Sequence, residues 1–504
     1  MKKDMTLGRG GKQRNRFHPS VSHARRLPLL RRRRWSNHTG NQGVDPVAIV
    51  PASTAEEVCK LIEHANLEQL TVRAAGSGHS WSDATLTTGY LVLPERMTGA
   101  ELAGKDREGR PLVRVKSGTT NRELNSFLDH HGLALSQMGG YDGQTIAGLI
   151  STSTHGSGIT FGPFPDFVRS VDLVDGAGKL RRIEPEQGLT DRGEFEREHP
   201  EWELTQLDDW FQAVICGIGS AGVILALVIE VRERFELTEV RKLTRWDEVR
   251  RELEAERFRD YEHYEFYINP YARHGDGSNT CIVTTRVEEH RNGGPRHRPL
   301  IPELLGYLPW ITAGVMQVVG ALMPRLFPWV LDTSLRAIAC PRYTNVSYKV
   351  FNIGSVNNLR AYSAEMAVPV TRAVEAIEAV LETADKYRRE GAIYHTSPVA
   401  IRFVAPSRAM MSMMDGRETM TIELIQLVDT DGGVEILAAH EERLASLDVR
   451  PHWGQLNSLA PAELAGRYPR LADWEAIRAQ LDPSGVFAGP FSKRVGLTSR
   501  GVTS

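Results

Sequence analysis

The 504-residue chain is too long for one ordinary hydrophobic core, so two domains are expected. Its 41% hydrophobic and 25% charged residues are ordinary for a globular protein. Four scattered cysteines (Cys59, Cys216, Cys281, Cys340), with no C-x-x-C pair, argue against a disulfide framework or a zinc site and suit a reducing cytoplasm. The net charge of −2 is uneven: residues 1–34 hold twelve Lys or Arg and one acid, a local +11, which leaves −13 for the remainder.

That basic tail reads as a disordered, solvated extension, because nothing in it builds a core. Clustered cations also attract phosphate, so nucleic acid and anionic lipid are the alternative partners. Arg25-Arg26-Leu27 is followed by Arg31–Arg34 and not by an apolar run, so no export signal is predicted. From Trp35 onward the pattern becomes that of a folded chain. Thr54–Ala65 predicts an amphipathic helix with early acids behind a Ser53/Thr54 cap. Leu70–Ala74 reads as a strand entering a glycine-rich loop, Ala75–Ser80. Tyr90–Leu93 and Leu112–Lys116 are further strands, and Asn121–His130 is a helix closed by Gly132.

Two more glycine-rich loops follow, at Gly139–Gly143 and Thr154–Gly158, on either side of a short small-residue helix. Val168–Asp175 and Lys179–Ile183 form a hairpin around Gly176–Gly178. Asp208–Cys216 is a helix, Gly217–Gly222 a turn and Val223–Val231 a buried strand. These mixed elements predict an α+β domain over residues 35–235.

The second unit, 236–495, opens with a charged helix at Asp247–Glu256 and a polar, loop-rich stretch at Asn269–Arg298. Leu304–Leu331 is strongly apolar but broken by Pro309, Pro324 and Pro328, so a membrane span is not expected. Ile311–Met323 reads as a core or interfacial helix, which leaves peripheral membrane contact open. Val370–Tyr387 and Val434–Leu447 read as helices, with strands at Val399–Val404 and Met420–Gln426 between them.

The chemistry concentrates in Val72-Arg73-Ala74-Ala75-Gly76-Ser77-Gly78-His79-Ser80-Trp81-Ser82. Gly76 and Gly78 permit backbone that converges its N–H groups on a pyrophosphate, and Ser77 and Ser80 add hydroxyl donors. The segment resembles the flavin loop of the vanillyl-alcohol oxidase superfamily, in its branch of sugar-1,4-lactone oxidases and alditol oxidases. The resemblance implies an FAD joined to His79 by an 8α-histidyl bond, with Ala74 to Ser80 lining it. Gln144–Gly158 is similar to the family segment ending T-H-G-S-G, which implies that Thr154, His155, Gly156, Ser157 and Gly158 lie against the flavin. No cysteine stands in that loop, so a second covalent bond is not expected. Phe211–Glu230 resembles the stretch closing the same domain, with Val223 near the adenine, and Trp35-Ser36-Asn37-His38-Thr39-Gly40-Asn41 resembles the domain's entry.

Downstream, Glu365 lies in an E-x-x-x-P element, Arg402 in Ser397–Phe403, and His452 in Arg450-Pro451-His452-Trp453-Gly454-Gln455. All three resemble the arabinonolactone-oxidase-type domain. Two positions depart from that pattern: Ala400 replaces a family glutamate and Gln455 a family lysine. The resemblance therefore implies a PCMH-type FAD-binding domain followed by a substrate or cap domain. The implied reaction is oxidation of a CH–OH group with hydride transfer to flavin N5, and reoxidation by O2 or another acceptor.

Arg402, His452, Gln455 and Glu365 are the candidate catalytic residues, with His452 as candidate base and also beside the flavin. Glu423 is a weaker candidate. The expected substrate is a polyol or sugar-1,4-lactone. The alternatives are a larger, less polar alcohol, or a flavin-binding protein that has lost catalysis.

Overall fold

The computed structural model describes residues 34–272, 277–289, 317–320, 322–353 and 360–497. The basic tail up to residue 33, the loop-rich stretch from 290 and the apolar segment up to residue 316 lie outside the described residues. A short antiparallel pair, β1 (Trp35–Ser36) and β2 (Gly43–Val44), opens the fold. β3 (Ala48–Pro51), β4 (Val72–Ala74) and β5 (Tyr90–Leu93) then form a parallel sheet with β5 central. The helix Ala55–Leu67 connects β3 to β4; its Thr54 cap accepts from the Glu57 amide, and it buries Val58, Leu61, Ile62 and Ala65.

A second sheet contains β6 (Ala100–Lys105), β7 (Pro111–Lys116), β9 (Val168–Val174), β10 (Leu180–Glu184), β11 (Trp202–Gln206) and β12 (Val223–Glu230), in the order β11-β10-β9-β12-β7-β6. β8 (Leu133–Ala134) pairs with β13 (Arg232–Glu233) beside it. The hairpin of β9 and β10 turns at Gly178, whose φ of +81° suits a glycine.

The second half builds one eight-stranded antiparallel sheet. Its members are β14 (Glu236–Arg245), β15 (His263–Ala272), β16 (Asn279–Glu289), β17 (Cys340–Val346), β18 (Ala361–Pro369), β19 (Val399–Val404), β20 (Thr419–Leu427) and β21 (Arg450–Pro451), ordered β17-β14-β16-β15-β19-β20-β18-β21. One face is apolar: Phe266, Val283, Met366, Ile401, Phe403 and Ile422 pack with the helices Ala373–Gly391 and Gly433–Leu444. β16 corrects the expectation of a loop after Asn269. It alternates apolar residues such as Cys281 and Val283 with Thr280, Thr284 and Arg286, and that polar second face is what reads as loop.

The C-terminal stretch returns to the first half. Trp474, Ile477, Leu481 and Phe491 share a core with Val113, Val171 and Phe211. Val72 N–H donates to Val486 O at 2.7 Å. No helix among the described residues is long and apolar enough to cross a membrane.

Behind the apolar face His395 and His440 are fully buried with Nε2 atoms 2.8 Å apart, a bond that needs one donor and one acceptor nitrogen. Burial lowers the pKa of His395 to about 4 and that of His440 well below its usual value, in His440 with help from His395. The unfolded chain therefore binds more protons between about pH 6.5 and 4, and the pair's contribution is lost as pH falls through that window. For His395 alone the loss is on the order of 3 kcal/mol. Urea unfolding at pH 7 and pH 4.5 should show a smaller drop in the His395→Gln/His440→Gln double variant than in the parent.

Candidate active site

The end of β4 and its following loop form one wall of a cavity that opens to solvent, with about 910 Å³ of empty space including its open mouth. Ala74, Gly76, Ser77, Gly78, His79 and Ser80 line it on this side. Ser117, Thr145, Ala147, Gly148, Ser151 and Thr152 line the facing helix and its approaches, and Gly219, Gly222, Val223 and Ile224 close the far end. The cavity has the character of a dinucleotide site. Thr85 Oγ1, Ser117 Oγ and Thr145 Oγ1 are buried lining hydroxyls with no partner in the protein, as is the ring atom His79 Nδ1. Small residues are sterically required at its walls: a Cβ on Gly76 would lie 2.0 Å from Thr145 Oγ1, and one on Gly222 2.9 Å from Val174 O. Unsatisfied donors along a glycine-walled cleft that ends at an imidazole fit FAD.

His79 sits in a ring of aromatic groups, with His38 at 3.9 Å, Tyr141 at 4.5 Å and Trp81 at 5.4 Å between centroids. Burial, and then the neighbouring His38, push its pKa down to about 4, so it is a neutral imidazole at neutral pH.

The other predicted residues are divided by the structure. Ala75 is fully buried with Ile49 and Leu91 and faces away from the cavity. Thr154 to Gly158 do not line the cavity either; they form the seam between the halves. Gly158 N–H donates to Phe403 O at 2.7 Å, Phe403 N–H donates to Ser157 Oγ at 3.3 Å, and the Ser157 hydroxyl donates to Tyr264 O. A Cβ on Gly156 would lie 2.7 Å from Met138 O.

His155 instead reaches the polar face of the large sheet, where its Nε2 is 3.2 Å from Glu365 Oε1. That face gathers the remaining candidates. Cross-strand register sets Glu365 opposite Glu423, and Ala400 between Glu423 and Tyr267. Arg402 Nη1 binds Glu423 Oε2 at 2.7 Å and lies 3.7 Å from Glu365 Oε1, with its Nε 3.6 Å from Glu265. Gln455 Nε2 donates to Glu365 Oε2 at 3.2 Å and its Oε1 accepts from Ser363 Oγ at 2.7 Å.

The charges on this face are held in place. Burial opposes the Glu365 carboxylate, but His155, then His452 and Arg402, keep its pKa far below the usual range. Burial likewise opposes Arg402, and Glu423, Tyr267, Glu265 and Glu365 hold it charged. Glu265 is pulled to about 2 against its burial by Arg286 and Arg402.

Burial lowers His452 to about 4 in spite of Glu365. Its Nδ1 accepts from the Gly454 amide at 3.0 Å, so the neutral ring carries its hydrogen on Nε2.

The two regions meet at one turn. Trp81 N–H donates to Gly454 O at 2.7 Å, Ser82 Oγ to Trp453 O at 2.7 Å, and a Cβ on Gly454 would lie 3.3 Å from Ser80 Oγ. Sequence reading missed Arg73, Ser117, Thr145, Ser151, Thr152, Gly219 and Gly222 in the cavity, and Glu265, Tyr267 and Arg286 on the sheet. Glycine punctuation signals the cavity group, but the sheet group follows only from strand register.

Fold and site together define an FAD-linked oxidoreductase of CH–OH donors. The sequence model of D-arabinono-1,4-lactone oxidase matches residues 227–495, and that of an FAD binding domain matches residues 46–184. The chain belongs to the D-arabinono-1,4-lactone oxidase family. It is 27% identical over 471 residues to L-gulono-1,4-lactone dehydrogenase of Mycobacterium tuberculosis (strain ATCC 25618 / H37Rv), covering 92% of this chain and 98% of the relative. It is 27% identical over 466 residues to alditol oxidase of Streptomyces sp. (strain IKD472 / FERM P-14339), covering 90% and 97%. Cholesterol oxidase from B. sterolicum shares the fold, with a TM-score of 0.76 over 93% of this chain and 97% of that one at 13% identity.

Gly76→Ala should lose FAD, read as the ratio of flavin to protein absorbance in the purified chain. Adding Thr145→Ala removes the 2.0 Å conflict and leaves only the Thr145 Cβ contact at 3.2 Å, so the double variant should regain part of the cofactor.

Proposed function

We propose that the chain holds FAD covalently through His79 and oxidises a CH–OH group of a polyol or sugar-1,4-lactone at the Arg402 cluster. One continuity carries this reading: the cavity ends at His79 and Ser80, and Ser80 abuts the turn that brings His452 and Gln455 onto Glu365. The lactone dehydrogenase and alditol oxidase relatives are named for substrates of this class. When bound, FAD supplies a two-electron acceptor for the substrate's hydride and passes the electrons to O2 or another acceptor.

The roles of the side chains follow from charge and access. Arg402 and Glu423 keep 14% and 17% of their side-chain exposure, against 3% and 4% for His155 and Glu365, so a substrate meets the Arg402–Glu423 pair first. Arg402 stabilises the substrate oxygen as its proton leaves. Glu423 takes that proton. Glu365, anchored by His155 and Gln455, holds Arg402 and the His452 turn in position. His452 donates through Nε2 to an oxygen of substrate or cofactor.

A larger, less polar alcohol is the second reading. Ala400 favours it, since its methyl group, in register between Tyr267 and Glu423, offers no hydrogen bond to a substrate hydroxyl.

Anaerobic bleaching of the flavin by alditols, aldono-1,4-lactones and long-chain alcohols tests both readings. Bleaching by long-chain alcohols alone would transfer the assignment to the second, and no bleaching by any of them would refute both. Glu423→Gln should slow bleaching by about 10²–10⁴-fold with the flavin still bound. Acid precipitation should leave a yellow pellet from the parent and a colourless one from His79→Ala. A colourless parent pellet would refute the covalent bond.

A further inference from the structure

On the polar face of the large sheet, cross-strand register sets two residues opposite Arg402: Glu265 on β15 and Thr421 on β20. Glu423, the acid that Arg402 binds, is only a diagonal neighbour, two residues further along β20. Opposite charges placed directly across an antiparallel pair ordinarily meet, because their Cβ atoms are about 4.5–5.5 Å apart, closer than diagonal neighbours. Arg402 does the reverse. Its Nη1 is 2.7 Å from Glu423 Oε2, while its Nε stops 3.6 Å from Glu265 Oε2.

The reason stands on the next strand, β16. Arg286 Nη2 donates to Glu265 Oε1 at 2.7 Å, and its Nε donates to Glu239 Oε2 at 2.9 Å. All three side chains are buried. Attraction between charges falls with separation, so Arg286 at 2.7 Å holds Glu265 more strongly than Arg402 at 3.6 Å. Glu265 is a full carboxylate at neutral pH, since Arg286 and then Arg402 pull its pKa to about 2 against its burial. Without Arg286, the nearest cation left to that charge would be Arg402, because Arg241 stays with Glu239 at 2.9 Å.

We infer that Arg286 is a positioning residue for the oxidation: by occupying Glu265 it leaves Arg402 free to reach Glu423 and the substrate oxygen. The inference rests on the roles given to Arg402 and Glu423 above. Arg286 acts only through Glu265. Its loss orphans a buried carboxylate, which is strongly destabilising, so Glu265 draws the Arg402 guanidinium into the directly opposed position and off Glu423. A group displaced by about 1 Å from its reacting partner can slow a reaction about 10²-fold.

The test mixes holoenzyme anaerobically with an alditol or aldono-1,4-lactone that bleaches the parent. The limiting rate of flavin reduction is read per bound flavin, which a loss of folded protein does not move. Arg286→Gln should slow it about 10²-fold. Arg286→Lys keeps the charge but lacks the fork that spans both carboxylates, so it should slow the reaction less strongly. Adding Glu265→Gln removes the competing carboxylate and should accelerate both variants, Arg286→Gln by at least about ten-fold, a size usual for coupling between contacting residues. A merely structural Arg286 gives the opposite sign, because a second loss from a buried ion network leaves the rate unchanged or lowers it.

Parental rates in both single variants, or no gain from Glu265→Gln on either, would overturn the inference while leaving the proposed reaction intact. Should Arg286→Gln fail to hold flavin, Arg286→Lys with and without Glu265→Gln decides alone. A parent bleached by no alditol or lactone would remove the proposed reaction, and this inference with it.

Discussion

The buried guanidinium of Arg73 is the interaction on which the cofactor cavity depends. Its Nη1 donates to Gly219 O at 2.8 Å, Phe487 O at 3.1 Å and Ser220 Oγ at 3.2 Å; its Nη2 donates to Ile218 O at 2.8 Å, and Nε to Ala84 O at 2.9 Å. Burial lowers its pKa to about 10, with Asp482 and Asp83 opposing, so it stays charged at neutral pH. A buried cation satisfied by carbonyls is costly to disturb, because removing any one acceptor leaves charge unpaired. Four chain segments, the β4 end, the Asp83–Thr85 turn, the 217–222 turn and the C-terminal stretch, are thereby fixed at one point. The cavity's shape is set by long-range bonds and not by the loop's own preferences.

The same logic of one satisfied face and one charged face organises the large sheet. Its apolar side is closed by helices, which frees the other side to carry buried ions. Arg286 links Glu239 at 2.9 Å to Glu265 at 2.7 Å, and Arg402 continues the row to Glu423 and Glu365. Every charge in the row has a counterion on an adjacent strand or across the seam, so the array is rigid before any substrate arrives. His155 completes it from the first half of the chain, and this makes the T-H-G-S-G loop a structural coupling between cofactor domain and sheet.

Local signals were legible in the sequence wherever backbone chemistry is local. The Thr54 cap, the Gly178 turn and the glycine loop ending at His79 all follow from short-range rules. The polar face of the sheet was not legible, because a strand that alternates Thr and Arg with apolar residues looks like surface until its neighbours are known. Glu265, Tyr267 and Arg286 are examples: each is meaningful only through its register with Ala400, Arg402 or Glu239. The C-terminal stretch escaped for a related reason, since Trp474 and Phe487 meet partners hundreds of residues away.

Register gives the electrostatic consequence of Ala400 and Gln455 standing where the resemblance implies a glutamate and a lysine. A carboxylate at 400 would stand directly across from Glu423 and beside Arg402, adding a fourth acid to the three, Glu265, Glu365 and Glu423, that already face this arginine. A lysine at 455 would stand on Glu365 and supply the compensating charge. Removing both leaves the local charge unchanged, and the Gln455 amide satisfies the same neighbours with one donor and one acceptor. Either exchange alone would leave an unbalanced ion in a buried site, at a cost of several kcal/mol. The glutamate and lysine implied by the resemblance would thus form one electrostatic unit. Ala400 and Gln455 do without such a pair and leave the Arg402–Glu423 contact at 2.7 Å in place.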